Sequence, residues 1–369
     1  MIVGVDAREL QGAPTGVGRY LRNVVREWTR ATGDRFHLYF NGAAPIDPIL
    51  DHPAIAKRPL GPGGVRGIAW QERLLPPAAR ADAVDVFFSP AYVCPLSLRA
   101  PRVTTVHDLS FFELPRDFKL RDGFRRRLLV AASVRASRAV LAVSDFTRRE
   151  ILARFPEAED RTVAIPLGAD HDLPAAPARE QARARLGVTG HFLLTVGAIF
   201  NRRCLPDLLR AAALLRKRWP DVTLDVVGED RTHPPLDIFG LVRDLGLERN
   251  VRLSGFVDEE ALAVRYAAAD AAVVLSEYEG FGLPVLEAMA RGVPVVTSTA
   301  PSLGELFRDA AVLVDPHDVP DIAAAVGRVL DDPDLRASLG ERGRALASRY
   351  SWADTARRTH DVLAAAARP

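Results

Sequence analysis

The chain has only two cysteines among its 369 residues, Cys94 and Cys204. Their separation fits no common metal or redox motif, and so few cysteines favour a reducing compartment over a disulfide-stabilised fold. No apolar run reaches the ~18 residues that a membrane-spanning helix needs. The formal net charge is only +2, which gives no reason to expect a nucleic-acid partner. Because Met1–Asp6 already has the pattern of a strand, we expect no signal segment and a soluble, cytoplasmic protein.

Length and patterning predict an α/β protein with two domains. A chain of 369 residues exceeds what one ordinary core supports, and short apolar strands alternate with helical stretches in both halves. Such alternation is typical of parallel sheets with helical crossovers, which bind ligands at the carboxyl ends of their strands. The predicted strands are Ile2–Val5, Phe36–Phe40, Val84–Ser89, Val103–His107, Ala139–Ser144, Val163–Ile165, Phe192–Val196, Thr223–Val227, Val251–Leu253 and Ala271–Ser276.

A stretch with several Pro, Gly and Ala residues at 166–177 interrupts this alternation and indicates a linker. We therefore assign residues 1–170 to a first Rossmann-like domain, 171–190 to the linker and 191–350 to a second Rossmann-like domain. Residues 351–369 form a predicted helix that follows the second domain's own elements.

The stretch Glu279–Glu287 reads Glu-Gly-Phe-Gly-Leu-Pro-Val-Leu-Glu and joins a predicted buried strand to a predicted helix. Pro284 suits the first helical turn, where its missing N–H costs nothing. Gly280 and Gly282 would let the backbone approach a ligand at the positive end of that helix. The two flanking carboxylates are good acceptors for hydroxyl groups. The stretch predicts a site for a ligand that carries phosphates and hydroxyls, and the alternative is an ordinary turn with solvated acids.

Two other turns follow predicted strands. Gly16 and Gly18 lie in a predicted loop before the first helix, where phosphate-binding loops often occur, but Leu21 stands where the dinucleotide fingerprint requires a third glycine. Arg202 and Arg203 follow the first strand of the second half, where paired guanidinium groups can hold a diphosphate. The alternatives are a plain tight turn and a surface loop with exposed arginines.

Polar residues also follow strands of the first half. His107, Asp108 and Ser144 fall at such positions, and each has a structural alternative as a loop residue or, for Ser144, as a helix cap. The segment Asp117–Arg127 mixes basic and apolar residues. It is either a surface for an anionic membrane or a solvated helix face.

Taken in chain order, these motifs resemble the retaining glycosyltransferases of family 4. The resemblance spans nearly the whole chain, and the Glu279–Glu287 block is its most specific part. It is carried by Gly16-x-Gly18, His107-Asp108, Val143–Thr147, Pro166–Gly168, Val196-Gly197, Arg202-Arg203, Gly255–Val257, Glu279–Glu287 and Gly292–Ser298. Members of this family have the GT-B fold, in which two Rossmann-like α/β/α domains face each other across a cleft and a C-terminal helix crosses back to the first domain.

The resemblance implies a role for each candidate residue. Arg202 and Arg203 would hold the donor diphosphate, Glu279 the transferred sugar and Glu287 the ribose hydroxyls. The other implied contacts are Gly16 and Gly18 beside the phosphates, Phe256 and Val257 beside the base, Gly280, Phe281, Gly282 and Leu283 along the donor, His107 facing the anomeric carbon, and Asp108 and Ser144 on the acceptor side.

The implied reaction moves a hexose, mannose or similar, from a GDP-, UDP- or dTDP-sugar to a glycan, lipid-linked or small-molecule acceptor, in cell-surface polysaccharide or glycoconjugate synthesis. The guanidinium groups and a helix N-terminus would stabilise the leaving diphosphate, so we expect no metal and no cofactor. The family's Arg-Lys-Asn motif is Arg202-Arg203-Cys204 here, and Arg is not equivalent to Lys. A non-catalytic nucleotide-sugar-binding protein is therefore one alternative, and a nucleotide-sugar 2-epimerase of the same fold is another. An NAD-dependent oxidoreductase is disfavoured by the incomplete fingerprint.

Overall fold

The computed structural model describes residues 1–12, 15–62, 67–169 and 174–368. The chain forms two compact units. The first comprises Met1–Phe112, Arg121–Gly168 and the chain from Tyr350 onward, and the second comprises Glu113–Leu120 and Ala169–Arg349. Each unit contains its own parallel sheet. None of the helices in the described ranges is long and apolar enough to cross a membrane.

The first half of the chain supplies one sheet and its crossover helices. Its strands are β1 Ile2–Asp6, β2 Arg35–Asn41, β3 Ile55–Leu60, β4 Val86–Ser89, β5 Arg102–Val106, β6 Ala139–Ala142 and β7 Thr162–Ala164. Its helices are α1 Gly16–Ala31, α2 Leu75–Ala81, α3 Ser110–Glu113, α4 Leu120–Ala136 and α5 Asp145–Arg154. Within the described residues the strands pair in parallel in the order β3-β2-β1-β4-β5-β6-β7.

The second half repeats this plan and ends in additional helices. Its strands are β8 Phe192–Val196, β9 Thr223–Val227, β10 Val251–Gly255, β11 Ala271–Val274, β12 Val295–Ser298 and β13 Val312–Val314. Its helices are α6 Arg179–Leu186, α7 Leu205–Arg218, α8 Ile238–Asp244, α9 Glu259–Ala268, α10 Leu283–Ala290, α11 Pro301–Phe307, α12 Val319–Asp331, α13 Pro333–Ala347 and α14 Trp352–Ala367. The described strands are all parallel, in the order β10-β9-β8-β11-β12-β13.

The central strands are rich in apolar residues because helices cover both faces of a parallel sheet. In β11 and β12 every residue is buried. Ser298, at the end of β12, is fully buried, and its hydroxyl donates to Ser276 O at 2.6 Å and accepts from Ser276 N at 2.9 Å. This pairing fixes the carboxyl ends of two neighbouring strands, from which the site described below is built.

Helix α14 returns to the first unit and packs against α1. Trp28, which is 1% exposed, donates its indole N–H to Ala356 O at 2.8 Å. A Cβ added at Gly168 would lie 2.3 Å from Trp352 N, so the close approach of the two backbones requires glycine there. The fold is therefore that of two parallel-sheet α/β domains with a returning C-terminal helix, as the sequence predicts.

The structure divides the chain differently from the assignment 1–170, 171–190, 191–350 and 351–369. Positions 171–173 lie outside the described residues, but the rest of the predicted linker contains α6, which packs against α9 in the second unit. Arg179 and Arg183 hold α6 in place through Asp270, with N–O distances of 2.6 and 3.2 Å. Because the surface of α6 is exposed and rich in arginine, its sequence lacks the apolar pattern that would have predicted a helix.

Two other sequence expectations need correction. The predicted loop at Thr15–Tyr20 is already helical from Gly16, because the Thr15 hydroxyl caps α1 by accepting from Gly18 N at 2.9 Å. Strands β3, β12 and β13 were not predicted. Of these, β3 is the one whose sequence disguises a strand most clearly. It is an edge strand with Lys57, Arg58 and Pro59, the residue types that edges carry and that conceal the alternation of a strand.

Candidate functional site

The loop between β11 and α10 positions the central motif. Gly282 has φ +97° and ψ 45° and stands immediately before α10, and Pro284 occupies the first turn. A Cβ at Gly282 would lie 2.5 Å from Leu303 Cδ2 and 3.0 Å from Phe307 Cε2, so both backbone and packing require glycine. This arrangement presents the N-terminus of α10 in a glycine-containing loop, an environment that favours anions.

The side chains of Arg203 and Glu279 form an ion pair, with 3.0 Å between Arg203 Nη2 and Glu279 Oε1. Both are mostly buried, at 17% and 11% side-chain exposure. Arg203 Nη1 also donates to Val196 O at 3.1 Å. Its buried Nε has no hydrogen-bond partner among the described residues, which leaves a charged donor available at the carboxyl end of β8. The two residues that sequence motifs place 76 positions apart thus lie in direct contact.

Arg202 joins the loop after β8 to the loop after β11. Its carbonyl oxygen accepts from Glu277 N at 2.8 Å and from the Ser276 hydroxyl at 3.1 Å. Its guanidinium lies over the ring of Phe200, 4.4 Å from the ring centroid. Because the backbone is fixed by hydrogen bonds and the guanidinium by an aromatic face, the position of this cation is well defined.

Glu287 lies one turn further into α10 and is 1% exposed. The hydroxyl of Tyr266 donates to Glu287 Oε2 at 3.4 Å. Arg291 follows at the end of the helix, where burial lowers the pKa of its guanidinium while the nearby Tyr266 and Glu287 oppose this shift. Glu287 therefore lies on the helix that begins just after Gly282, and it is more buried than Glu279.

Phe256 and Val257 follow β10, at the same edge of the second sheet as the other loops. Phe256 is 52% exposed although it is a large aromatic residue. Gly255, just before it, has φ +61° and open space around its Cβ position. An exposed phenyl ring beside a glycine turn can serve as a flat apolar surface for a planar ligand.

The remaining candidates belong to the first unit and are described separately. His107 Nε2 bonds to Pro90 O at 2.7 Å, and its ring packs edge-on against Tyr20 and Tyr92. Burial lowers the pKa of His107, although the Pro90 carbonyl and Asp108 oppose the shift. Asp108 accepts from the Ser110 hydroxyl at 2.8 Å and from the Tyr92 hydroxyl at 3.2 Å.

Ser144 and the glycines of α1 have structural roles in the same unit. Ser144 caps α5 by accepting from Thr147 N at 3.0 Å. Gly18 allows α1 to approach the preceding segment, since a Cβ there would lie 2.4 Å from Glu9 O. Gly16 has open space at its Cβ position, so packing does not explain this glycine.

Sequence reasoning missed several residues that shape the site. Ser276, Ser302 and Tyr266 hold its loops, and the Ser302 hydroxyl donates to Glu279 O. Serines just after β11 and in the first turn of α11 were a usable signal, because ligand sites lie at the carboxyl ends of parallel strands. The contact of Tyr266 with Glu287 joins different helices and has no local signal in the sequence.

Comparisons with known proteins agree with this architecture. The family model described as Glycosyltransferase Family 4 matches residues 14–173, and the model described as Glycosyl transferases group 1 matches residues 178–346. The O-antigen chain mannosyltransferase B of Escherichia coli is 33% identical over 364 residues, covering 92% of this chain and 93% of that protein. The chain therefore belongs to family 4 of the glycosyltransferases and is a glycosyltransferase with the GT-B fold.

Solved structures support the same fold. Sucrose-phosphate synthase from Thermosynechococcus elongatus superposes with a TM-score of 0.79 at 24% identity, covering 98% of this chain and 97% of that one. The Anabaena protein HepE, solved in complex with UDP-glucose, superposes with a TM-score of 0.77 at 20% identity and 99% coverage of both chains. At these identities the likeness concerns the fold.

Proposed function

We propose that this glycosyltransferase moves a hexose, mannose or a similar sugar, from a nucleotide-diphosphate sugar to a glycan, lipid-linked or small-molecule acceptor. The observation that carries the proposal is the contact of Arg203 with Glu279 beside the N-terminus of α10. It combines a cation for a diphosphate with a carboxylate for sugar hydroxyls. The Escherichia coli relative is named a mannosyltransferase of O-antigen chains, and HepE was solved with UDP-glucose; both names support this donor and substrate class.

In the proposed mechanism, Arg202 and Arg203 and the first amides of α10 stabilise the charge that develops on the departing diphosphate. The chain's own cations thereby supply what a metal ion supplies elsewhere, so we propose metal-independent chemistry without a cofactor. The acceptor attacks from the face that the diphosphate leaves, and a phosphate oxygen takes its proton, so that the anomeric configuration is retained. Glu279 orients the sugar and stabilises positive charge at the anomeric carbon.

The remaining contacts belong to the same proposal. Glu287 binds the ribose hydroxyls, Phe256 and Val257 border the base, and Gly280 to Leu283 line the donor. His107 faces the anomeric carbon. Gly16 and Gly18 lie beside the phosphates, and Asp108 and Ser144 belong to the acceptor side.

The proposal is tested by ligand-dependent stabilisation. Melting temperatures are measured with UDP, GDP, dTDP, ADP and NAD, and then with the matching nucleotide sugars. A ligand at about 100 times its dissociation constant adds ~2.7 kcal/mol of stability, which gives a clear shift. The Arg203→Met variant should lose the shift, whereas the control Arg218→Met, which removes an exposed arginine paired with Asp331, should keep it.

Product analysis then separates the alternatives. Transfer of sugar with the anomeric configuration kept supports the proposal. Binding of a nucleotide sugar without turnover, over a panel of glycan, lipid-linked and small-molecule acceptors, favours the non-catalytic protein that the Arg202-Arg203-Cys204 motif suggests. Conversion of the sugar at C2 without transfer indicates an epimerase. Stabilisation by NAD alone would overturn the assignment of this site.

We further propose that α4 contacts the surface of an anionic membrane when the acceptor is lipid-linked. Leu120, Phe124 and Leu128 recur every four residues on α4 and are 84%, 61% and 56% exposed. Arg121 and Arg125 are exposed on the same helix. An apolar stripe with flanking cations suits an interfacial helix on anionic lipid.

Vesicle binding tests this contact. Binding to vesicles with anionic lipid should fall as salt rises and should be lost in Phe124→Ser/Leu128→Ser. The control Phe239→Ser changes another exposed phenylalanine, at 76% exposure on α8, and should leave binding unchanged. Equal binding to neutral vesicles would contradict the electrostatic part of the proposal.

A further inference from the structure

A second group of polar side chains lies next to the proposed donor site, within the second unit. Cys204, Glu277 and His317 each offer one ligand atom, and these three atoms lie within 4.8 Å of one another. His317 Nε2 is 3.5 Å from Glu277 Oε1. The residues come from three different segments, namely the start of α7, the loop after β11 and the loop between β13 and α12. Nothing in their spacing along the chain indicates that they meet.

The imidazole of His317 is oriented by a second carboxylate. Asp207 Oδ2 lies 3.0 Å from His317 Nδ1, while Asp207 Oδ1 accepts from Arg210 at 2.8 Å. With Nδ1 engaged by Asp207, Nε2 points toward Glu277. A carboxylate that fixes one ring nitrogen while the other faces a metal is the usual outer-shell arrangement at protein metal sites.

The two carboxylate oxygens of Glu277 have different partners. Oε2 pairs with the guanidinium of Arg116, whereas Oε1 faces His317. The pair with Arg116 orients the carboxylate and leaves one oxygen directed at the cluster. Cys204 completes the group from the side of the protein interior, where it is 3% exposed. Burial, followed by the charges of Glu277 and Asp207, raises the pKa of its thiol to about 12.

The distances suit a small cation. Bonds of ~2.0 Å to nitrogen or oxygen and ~2.3 Å to sulfur, in a tetrahedron, separate the ligand atoms by roughly 3.3–3.6 Å. The His317–Glu277 separation of 3.5 Å already matches this value, and the sulfur, which lies within 4.8 Å of the other two ligand atoms, needs to move by at most about 1.3 Å. A thiolate, an imidazole and a carboxylate together favour Zn²⁺ over the hard cations Mg²⁺ and Ca²⁺.

We propose that Cys204, Glu277 and His317 bind a zinc ion, with water at the fourth position. On binding, the Cys204 thiol loses its proton to solvent and the sulfur forms the bond to the metal. The site is separate from the proposed donor contacts, and the proposal does not depend on which sugar is transferred. The ion ties the Arg202–Arg203 loop to the loop after β11, which Arg202 O already contacts through Glu277 N. Its effect is to fix the two arginines in position, not to coordinate the diphosphate.

Cobalt binding followed by absorption spectroscopy tests this site. The purified full-length protein, freed of metal with a chelator, is titrated with Co²⁺, which reports a thiolate ligand by a sulfur-to-metal charge-transfer band. The band should saturate at one ion per chain. Zn²⁺ should remove it, because zinc binds cysteine-containing sites more tightly than cobalt. Saturation should require more metal as the pH falls, since each bound ion displaces a proton. Asp207→Asn should weaken binding by about 10–100-fold, the usual effect of losing an outer-shell partner.

Matched variants assign the ligands. Cys204→Asn should abolish the band without unfolding the protein, because Cys204 has φ +49° and Asn tolerates this conformation better than most residues. Cys94→Ser changes the other buried cysteine and should keep the band. His317→Ala should weaken binding at least as much as Asp207→Asn. No band in the parent protein, a band that survives Cys204→Asn, or full affinity in His317→Ala would each overturn the proposal.

Discussion

Replacing Gly282 with alanine should destabilise the second domain by about 2–5 kcal/mol, as the sum of two effects. A left-handed backbone conformation costs a residue with a Cβ roughly 1–2 kcal/mol, and Gly282 has φ +97°. The added methyl group would also lie 2.5 Å from Leu303 Cδ2 and 3.0 Å from Phe307 Cε2. Leu303 and Phe307 are fully buried, and overpacking of such a core typically costs about 1–3 kcal/mol.

The measurement is urea unfolding followed by circular dichroism, with Gly187→Ala as the matched control. Gly187 ends α6 in the same unit with φ +60° and ψ 41°, and nothing lies within 4 Å of its Cβ position. The control should therefore show the backbone cost alone, about 1–2 kcal/mol. Leu303→Ala should partly relieve the Gly282→Ala clash, so the two losses should add to more than the loss of the double variant. Equal losses for Gly282→Ala and Gly187→Ala would refute the proposed packing constraint.

Three further changes have defined outcomes. Arg203→Met should weaken binding of the preferred nucleotide diphosphate by about 10–150-fold in calorimetry, which corresponds to losing a charge-assisted hydrogen bond of about 1.5–3 kcal/mol. Arg203→Lys should weaken binding less because it keeps the positive charge. Equal losses in the two variants would show that the forked guanidinium geometry matters and the charge does not. Because burial lowers the pKa of His107 in the folded protein, this histidine is protonated at a higher pH in the unfolded chain than in the folded one. The free energy of unfolding should therefore fall as the pH drops below about 6.5, and His107→Gln should flatten this part of the profile of urea midpoint against pH. An unchanged profile would show that His107 does not contribute. Trp28→Phe leaves the Ala356 carbonyl without its indole donor and should lower the free energy of unfolding by about 1–3 kcal/mol. The control Trp219→Phe changes a partly exposed residue in the other unit and should lower it by less. An equal or smaller loss for Trp28→Phe would contradict the role of this hydrogen bond.

The fold was predictable where local pattern and burial agree. Strand β11, for example, is entirely apolar and entirely buried because both of its faces are covered, so its position follows from composition. The errors occurred where surface chemistry dominates. Helix α6 exposes its arginines and buries mainly Ala182, so it lacks an apolar stripe, and β3 carries the charges and the proline of an edge strand.

The candidate site was predictable as a set of loops but not as a set of contacts. Strand ends and glycine turns point to Arg203, Gly282 and Glu279 because parallel sheets place ligands at those ends. The pairing of Arg203 with Glu279 depends on β8 and β11 being neighbours in the sheet. The order of strands in a sheet cannot be read from the sequence when other strands and helices separate the two along the chain. The meeting of Cys204 with His317 depends on the same sheet order and on loop conformations that no local motif encodes.

The ion pair also changes what a substitution at Glu279 measures. If Glu279 contacted only the sugar, its removal would leave nucleotide binding unaffected. In the structure its carboxylate neutralises Arg203, the proposed diphosphate ligand, and two charges about 4 Å apart interact by ~4 kcal/mol at an effective dielectric constant of ~20. Glu279→Gln therefore releases Arg203 from a competing anion, so that nucleotide diphosphate should bind more tightly than in the parent while sugar transfer falls. Opposite changes in nucleotide affinity and transfer rate distinguish a carboxylate that serves both groups from one that contacts the sugar alone, which would change transfer without changing affinity.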